Sequence, residues 1–219
     1  MLGLIIAEAS LELVPKELLN DRSVINHAKK INRDASYTLL DKSYHYHAMS
    51  RLKDKHKRGR PDIVHISSLA VTSTPLYKEG MLDLYIHTIN NEIITLKNVR
   101  LTKSYNRFEG LIIDLFKKRK IEKDDMLMHI YNDRIESLVK DRYTIGLSRH
   151  GEPSNAEDVS RLALEHHAMI IVGGFPSSSF SNDTMKSIDK LYSISKYSLD
   201  AHVVIARIIY ELEKRLIIY

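Results

Sequence analysis

The sequence predicts an α/β fold in which helices cover both faces of a mainly parallel sheet. Short apolar runs rich in β-branched residues alternate along the chain with stretches of helical periodicity. Several of these runs are continuously apolar, as expected of parallel strands that are covered on both faces. The predicted strands are Leu2–Ala7, Asp62–Ile66, Leu82–Thr88, Ile93–Leu96, Met126–Ile130, Tyr143–Ser148, Ala168–Val172 and Leu191–Ile194.

One pair of strands and five helices complete this prediction. A turn of three residues, Ile89-Asn90-Asn91, separates the third strand from the fourth and predicts a hairpin over residues 82–96. The last helix has the clearest pattern, because its apolar residues recur every three or four positions and form a stripe on one face. Residues 32–52 are ambiguous and stay unassigned. The predicted helices are Val24–Arg33, Arg107–Lys118, Ala156–His166, Asp183–Lys190 and Leu199–Leu216.

Length and composition narrow the class of protein. The chain has 219 residues, enough for one α/β domain with an insertion or for two small domains. Its 43% hydrophobic and 28% charged residues argue against disorder, and the absence of cysteine excludes disulfide scaffolds and thiol catalysis. No run approaches the roughly 18–20 apolar residues of a membrane span. The opening residues resemble a strand more than a signal peptide, so we expect a cytoplasmic protein that does not interact with membranes.

Three predicted strands end in small or polar loops. Gly173-Gly174, the only adjacent glycine pair, follows one strand; Gly146-Leu147-Ser148 lies at the end of another; and the loop SKYS follows Leu191–Ile194. Open α/β sheets bind ligands at the carboxyl ends of their strands, so these loops could converge on one pocket. From spacing alone, ordinary turns between strands and helices are the simpler explanation. Neither a Walker loop nor a GxGxxG pattern is present, which argues against a nucleoside-triphosphate enzyme or a classical dehydrogenase.

A basic run precedes one predicted strand. Residues 51–60, RLKDKHKRGR, contain six cations and one acid, and taken alone such a run is most simply a solvated, flexible loop. Arg60 and Asp62 flank a proline that fixes the backbone at its end. With a net charge of +5 and a pI near 9.2, the chain admits nucleic acid as a partner without requiring it.

A second basic cluster lies in RLTKSYNRFEGL, just before a predicted helix. Arg100, Lys103 and Arg107 recur at three- and four-residue intervals, a spacing suited to successive phosphates. Tyr105 and Phe108 interleave with these cations and could stack on unpaired RNA bases. The two clusters together favour RNA binding, whereas each alone is also explained by a solvated surface.

The eleven histidines do not form a recognisable metal site. His45 and His47 would share a face only on a strand, and neither they nor His166-His167 match an HExxH motif. There is no GxSxG elbow either, so hydrolase chemistry has no support. We therefore expect no metal.

Taken in order, the motifs resemble those of one family. GRPDIVHISSL with TPLYKEG, then YIHT, RLTKSYNRFEGL, GGFPSSSF and ISKYSLDA follow one another along essentially the whole chain. In this order they resemble the archaeal-type small-subunit ribosomal RNA pseudouridine N1-methyltransferases, of the SPOUT (α/β-knot) class. The resemblance implies a single domain over residues 1–219, with an insertion at roughly 32–60 and a small inserted β-rich element. It also implies a C-terminal trefoil knot, which forms the cofactor region at roughly 143–205.

The resemblance also implies activity and partners. It implies methylation of N1 of a pseudouridine in small-subunit ribosomal RNA, with S-adenosyl-L-methionine as cofactor, a homodimer, and a role in ribosome biogenesis beside other assembly proteins. Two alternatives stay open. One is an rRNA-binding assembly factor with little or no methyltransferase activity, and the other is a SPOUT enzyme that acts on transfer RNA.

By motif position, the resemblance also implies a set of site residues. Arg60, Asp62 and Arg100 would orient the substrate and stabilise charge, with no general base assigned. RNA contacts fall on Arg60, Arg100, Lys103 and Arg107. Cofactor contacts fall on Leu147, Gly173, Gly174, Ser178, Ile194, Ser195, Lys196, Tyr197, Ser198 and Leu199. The chain departs from the family at Ser178, where relatives usually have glycine, and at Thr102 and Lys103, in place of an expected proline and arginine.

Overall fold

A twisted eight-stranded sheet forms the centre of the computed structural model, which describes residues 1–216. The strand order is β4-β5-β3-β2-β1-β7-β6-β8. β1, β2, β7, β6 and β8 are mutually parallel, whereas β3, β4 and β5 extend one edge as an antiparallel meander. The strands are β1 (Leu2–Ala9), β2 (Leu82–Thr88), β3 (Glu92–Lys97), β4 (Lys120–Lys123), β5 (Met126–Asn132), β6 (Thr144–Pro153), β7 (Met169–Gly173) and β8 (Lys190–Ser193).

Helices cover both faces of this sheet, as the sequence predicted. None of the helices within residues 1–216 is both long and apolar enough to cross a membrane. The knot implied by the resemblance stays a prediction. The helices are α1 (Arg22–Lys30), α2 (Lys42–His45), α3 (Pro61–Thr72), α4 (Pro75–Lys78), α5 (Tyr105–Lys118), α6 (Ile135–Val139), α7 (Ala156–Glu165), α8 (Asn182–Lys186) and α9 (Ala201–Leu216).

β1 lies at the centre of the sheet and all eight of its residues are buried. Its side chains alternate between faces, so Leu4 and Ile6 belong to the main apolar core while Ile5 and Ala7 pack in a second cluster on the other face. This double coverage explains why the strand is continuously apolar in sequence.

The predicted strand Asp62–Ile66 is wrong, because these residues form the first turns of α3. Pro61 occupies the first helical position, where its missing N–H costs no hydrogen bond, and Asp62 lies at the positive end of the helix dipole. Val64 and Val71 are fully buried while Ile66 is 45% exposed, so burial follows a helical period. The β-branched residues of IVHIS hid this period from the sequence argument.

Other boundaries move by a few residues, and one strand was missed. The helix predicted over Asp183–Lys190 ends at Lys186, because Lys190 already begins β8. β4 was not predicted; its four residues are mostly exposed and charged. The unassigned residues 32–52 and the basic run after them contain α2 and short 3-10 helices.

Candidate active site

A cavity of about 480 Å³ opens where β7, β8 and the buried part of β6 end. Residues 147–149 of β6 and the loops that follow β7 and β8 line it, together with the first turns of α3 and α9. The strand ends lie side by side because β6 pairs in parallel with both β7 and β8. The loops after β7 and β8 thus meet at one cavity, as the positions of glycine and serine predicted. The third predicted loop, RHGEPSN after Ser148, is mostly wrong, because β6 continues through it to Pro153.

The loop after β7 approaches the cavity with its backbone. A Cβ atom on Gly173 would lie 2.9 Å from the ring of Phe175, so a side chain at this position would displace that ring. Ser178 has a φ of 107°, in the region that glycine favours. The chain thus keeps a glycine-like backbone at Ser178 although it carries a side chain there.

The loop after β8 is fixed by its own serines. The Ser193 hydroxyl donates to the carbonyl of Ser195 at 2.9 Å, and the backbone N–H of Tyr197 donates to the Ser195 hydroxyl at 3.0 Å. The amides of Val203 and Val204 donate to the carbonyl of Asp200 and begin α9. These bonds shape the loop before any ligand binds.

An ion pair stands on the rim of the cavity. The Arg60 guanidinium donates two hydrogen bonds to Asp62, at 2.8 and 2.7 Å, in a bidentate arrangement. The Arg60 amide donates to the buried Ser10 hydroxyl at 2.7 Å, which ties the rim to the end of β1. Burial acts to raise the pKa of Asp62, but hydrogen bonds from Arg60 and from the first amides of α3 outweigh it and lower that pKa. Asp62 is therefore ionised at neutral pH and a weak base.

A buried ion pair supports the loop after β7 from behind. The Lys57 ammonium contacts the Glu8 carboxylate, and the two residues are only 7% and 4% exposed. The same carboxylate accepts the Ser181 amide at 2.7 Å, and the ammonium lies 4.7 Å from the centre of the Phe175 ring. The expected solvated, flexible loop over residues 51–60 is thus wrong at this point: Lys57 anchors the basic run to the cavity wall.

Comparisons with known proteins identify the family. The family model described as "EMG1/NEP1 methyltransferase" matches residues 4–213. The chain belongs to this family. It is 40% identical over 215 residues to the Ribosomal RNA small subunit methyltransferase Nep1 of Staphylothermus marinus, covering 95% of this chain and 93% of the relative. A protein of the same name from Saccharolobus solfataricus is 41% identical over 210 residues, covering 94% of each chain.

A solved structure of a family member has the same fold. Archaeoglobus fulgidus Nep1, crystallised with S-adenosylhomocysteine, superposes with a TM-score of 0.88 at 30% identity and covers 97% of each chain. The mainly parallel α/β architecture expected from the sequence is therefore confirmed.

Most of the residues that the family resemblance assigned to the cofactor line the cavity. Gly174 and Lys196 are the exceptions. Gly174 packs against β1, since a Cβ there would lie 2.6 Å from Ile6 Cγ2. The predicted residues that line the cavity are Leu147, Gly173, Ser178, Ile194, Ser195, Tyr197, Ser198 and Leu199.

The second basic cluster lies outside the cavity. Arg100 and Lys103 occupy the loop before α5 and Arg107 its first turn, and all three are exposed. The His65 Nε2 of α3 lies 2.8 Å from the Thr102 carbonyl and donates to it, which connects this loop to the helix that begins beside Arg60.

The sequence argument was wrong about Phe108. Phe108 is fully buried, packed on His65 with ring centroids 4.4 Å apart, so it cannot stack on RNA.

Sequence reasoning also missed several cavity residues. Tyr192 lies on β8, Arg149 follows the buried part of β6, and His202 and Val204 lie in the first turn of α9. The two α9 residues could have been predicted from their position in the sequence, because a helix that follows a ligand-binding loop presents its first turn to the ligand.

Proposed function

We propose that this protein transfers a methyl group from S-adenosylmethionine to N1 of a pseudouridine in small-subunit ribosomal RNA. Membership of a methyltransferase family, the names of the curated relatives and the S-adenosylhomocysteine complex of the Archaeoglobus protein support this proposal. The observation that carries it is the cavity at three adjacent strand ends, with the Arg60–Asp62 pair on its rim.

The cavity fits an adenosyl ligand. Its volume of about 480 Å³ lies within the roughly 300–1,000 Å³ of small-ligand sites. Backbone at Gly173 and Ser178 comes close to the cavity, and the apolar side chains of Leu147 and Ile194 line it. We assign cofactor contacts to these residues and to Ser195–Leu199, with Gly174 holding its loop against β1. When bound, S-adenosylmethionine supplies a sulfonium methyl group that a nucleophile displaces in line.

The chain must also manage a proton, because N1 of pseudouridine carries one that has to leave. The Arg60 guanidinium stands at the rim of the cavity and would stabilise negative charge developing on the uracil oxygens. Asp62 would orient Arg60 and not take the proton, since its pKa is lowered. We assign no general base.

The exposed cations of the second cluster would hold the RNA. Arg100, Lys103 and Arg107 lie on the loop and first turn that α3 supports through His65, and Arg60 directly precedes the same helix. Phosphate contacts of this kind position a substrate without selecting its sequence. Lys103 would act as a point charge, without the bidentate geometry of the arginine usual in the family. We propose that the enzyme works as a cytoplasmic homodimer beside other ribosome-assembly proteins.

Mass spectrometry of a short rRNA hairpin tests this function. Two hairpins that differ only in having pseudouridine or uridine at one position are incubated with protein and S-adenosylmethionine. We expect one added methyl group on the pseudouridine hairpin alone. Methylation of both hairpins would contradict the assignment to N1, because N1 of uridine is bonded to the sugar. Binding of RNA without methylation of either hairpin would favour the alternative function of an rRNA-binding assembly factor.

A further inference from the structure

A second cavity, of about 840 Å³, opens on the other side of the Arg60–Asp62 pair. It lies between α1, α2 and the first turns of α5, and we call it the tyrosine cleft, after Tyr44, Tyr46 and Tyr105 in its lining. Arg60 and Asp62 line both this cleft and the cofactor cavity. A strand of RNA with its target base at the cofactor cavity would therefore lead directly into the cleft.

Two tyrosine rings of the cleft face solvent. Tyr44 is 48% exposed and Tyr46 is 61% exposed. The Lys42 ammonium lies 5.6 Å from the centre of the Tyr46 ring and makes no ion pair within the part of the chain that the structure describes. An exposed aromatic ring beside an unpaired cation suits a nucleotide, whose base stacks on the ring while its phosphate meets the cation.

Buried contacts hold this surface in place. The underside of Tyr44 stacks on His27, with ring centroids 3.8 Å apart and planes 9° from parallel. His27 Nδ1 lies 3.0 Å from His45 Nε2, and the other nitrogen of His45 accepts the Asp41 amide. Because Nδ1 of His45 accepts that amide, the ring proton of neutral His45 lies on Nε2. His45 therefore donates this proton to Nδ1 of His27, and the bond connects α2 to α1. The stacking surface is thus preorganised, which lowers the entropy cost of binding.

The carboxylates of the cleft are already occupied. Asp41 caps α2 and accepts the Tyr105 hydroxyl at 3.1 Å. Asp62 is paired with Arg60, and burial raises the pKa of Glu109, which lies 3.9 Å from Arg33. These contacts reduce the repulsion that a phosphate would otherwise meet, while Lys42 stays available to attract it.

We propose that the tyrosine cleft binds an unpaired nucleotide next to the methylated position of the rRNA, with its base on Tyr46 and its phosphate at Lys42. This inference rests on the proposed function, because it takes the RNA substrate as given. It assigns a role to the segment around α2: this segment selects an RNA loop whose neighbouring base is free to leave the stack. A volume of about 840 Å³ accommodates a nucleotide within the roughly 300–1,000 Å³ of small-ligand sites.

Replacing the stacking ring tests this site. In the wild type and in Tyr46→Leu and Tyr46→Phe, RNA affinity is measured by fluorescence anisotropy with the pseudouridine hairpin, and cofactor affinity by calorimetry with S-adenosylhomocysteine. Loss of one stacked base weakens RNA binding roughly 5- to 140-fold. We expect that loss in Tyr46→Leu, near-normal binding in Tyr46→Phe, which keeps the ring, and unchanged cofactor affinity in both.

Tyr37→Leu is the matched control. Tyr37 is also exposed, at 41%, and has a lysine over its ring, Lys117 at 4.0 Å, but it does not line the cleft. Lys117 lies about 18 Å along α5 from Tyr105, at a helix rise of roughly 1.5 Å per residue. We expect Tyr37→Leu to bind RNA like the wild type.

A second set of hairpins identifies the nucleotide. Each has one base next to the pseudouridine removed and its sugar and phosphate kept. For the wild type, we expect one such hairpin to bind more weakly than the intact hairpin. For Tyr46→Leu, we expect that same hairpin to bind as tightly as the intact one. Equal RNA affinity for Tyr46→Leu and Tyr37→Leu would overturn the cleft assignment and leave the proposed function intact. A wild type that binds none of the hairpins would overturn both.

Discussion

The buried pair between Lys57 and Glu8 makes a quantitative prediction about stability. Replacing Lys57 by methionine keeps an unbranched side chain, one atom shorter, but leaves the Glu8 carboxylate, 4% exposed, without its counter-charge. Breaking a buried pair from one side costs about 3–5 kcal/mol. For a chain of this size each kcal/mol shifts Tm by about 2–4 °C, so we expect a loss of about 6–20 °C at pH 8.

The same variant should respond to pH in a characteristic way. In the wild type, burial acts to raise the pKa of Glu8, but hydrogen bonds from Lys57, from the Ser181 amide and from Thr184 lower it overall. Glu8 therefore contributes stability above its unfolded pKa of roughly 4.3, and the contribution is lost as pH falls through the lower folded pKa. Without Lys57, burial raises that pKa, so Glu8 gains a proton on mild acidification and the deficit of the variant shrinks from pH 8 to pH 5.

Thermal and urea unfolding at both pH values measure this effect. The double variant Glu8→Gln with Lys57→Met removes the stranded charge and should be more stable at pH 8 than Lys57→Met alone. Lys118→Met is the matched control, because Lys118 forms an exposed pair with Asp114 at 3.5 Å. Such pairs contribute about 0.3–0.5 kcal/mol, hence a change of at most about 2 °C. A Lys57→Met deficit no larger than that of the control, or one that does not shrink at pH 5, would refute the reasoning.

Three further predictions concern the active-site rim, the support of the tyrosine cleft and the loop after β7. Arg60→Ala should slow methyl transfer at saturating RNA by about 10²–10³ and leave the calorimetric affinity for S-adenosylhomocysteine unchanged; equal loss of both would contradict its separate role. Burial and the neighbouring His27 lower the pKa of His45 to about 4. As pH falls from about 6.5 towards that value, the unfolded chain takes up a proton at His45 before the folded chain does, so the fold loses stability. The Tm of His45→Asn should therefore fall less between pH 7 and pH 5 than that of the wild type, and parallel curves would argue against this. Ser178→Gly should raise Tm by about 2–4 °C, through relief of about 1 kcal/mol of left-handed backbone strain, and should keep cofactor affinity; a lower Tm would show that the Ser178 side chain stabilises the loop.

The sequence predicted the strand ends well, because the features that shape them are local. Gly173 and the serines around Ser195 lie directly after apolar runs, and the parallel order of those runs brings their ends together. The start of α3 was equally local, in Pro61 followed by Asp62, but β-branched residues obscured it. Phe108 was misassigned for a different reason. It belongs to the buried apolar stripe of α5, and the helical spacing of that stripe predicts burial better than its position between cations predicts exposure.

Features that depend on distant contacts could not be predicted from the sequence. Lys57 lies in a run of cations that predicts a solvated loop, and only the folded chain brings it to Glu8. Tyr46 lies in the segment to which no element could be assigned, and its cleft forms when Asp41 meets the hydroxyl of Tyr105 on α5. Both arrangements join residues more than roughly 45 positions apart, beyond the range of any helical or strand period.

Calorimetric titration with S-adenosylhomocysteine tests most directly whether the cavity at the ends of β6, β7 and β8 is the cofactor site. The wild type is compared with Val204→Trp, which places a large ring inside the cavity that Val204 lines, and with Arg207→Trp, at an exposed position of the same helix outside that lining. We expect the wild type and Arg207→Trp to bind one equivalent per chain and Val204→Trp to bind at least about tenfold more weakly, a loss of about 1.4 kcal/mol, with its Tm preserved. Equal affinity in all three proteins, or no binding by the wild type, would contradict the account.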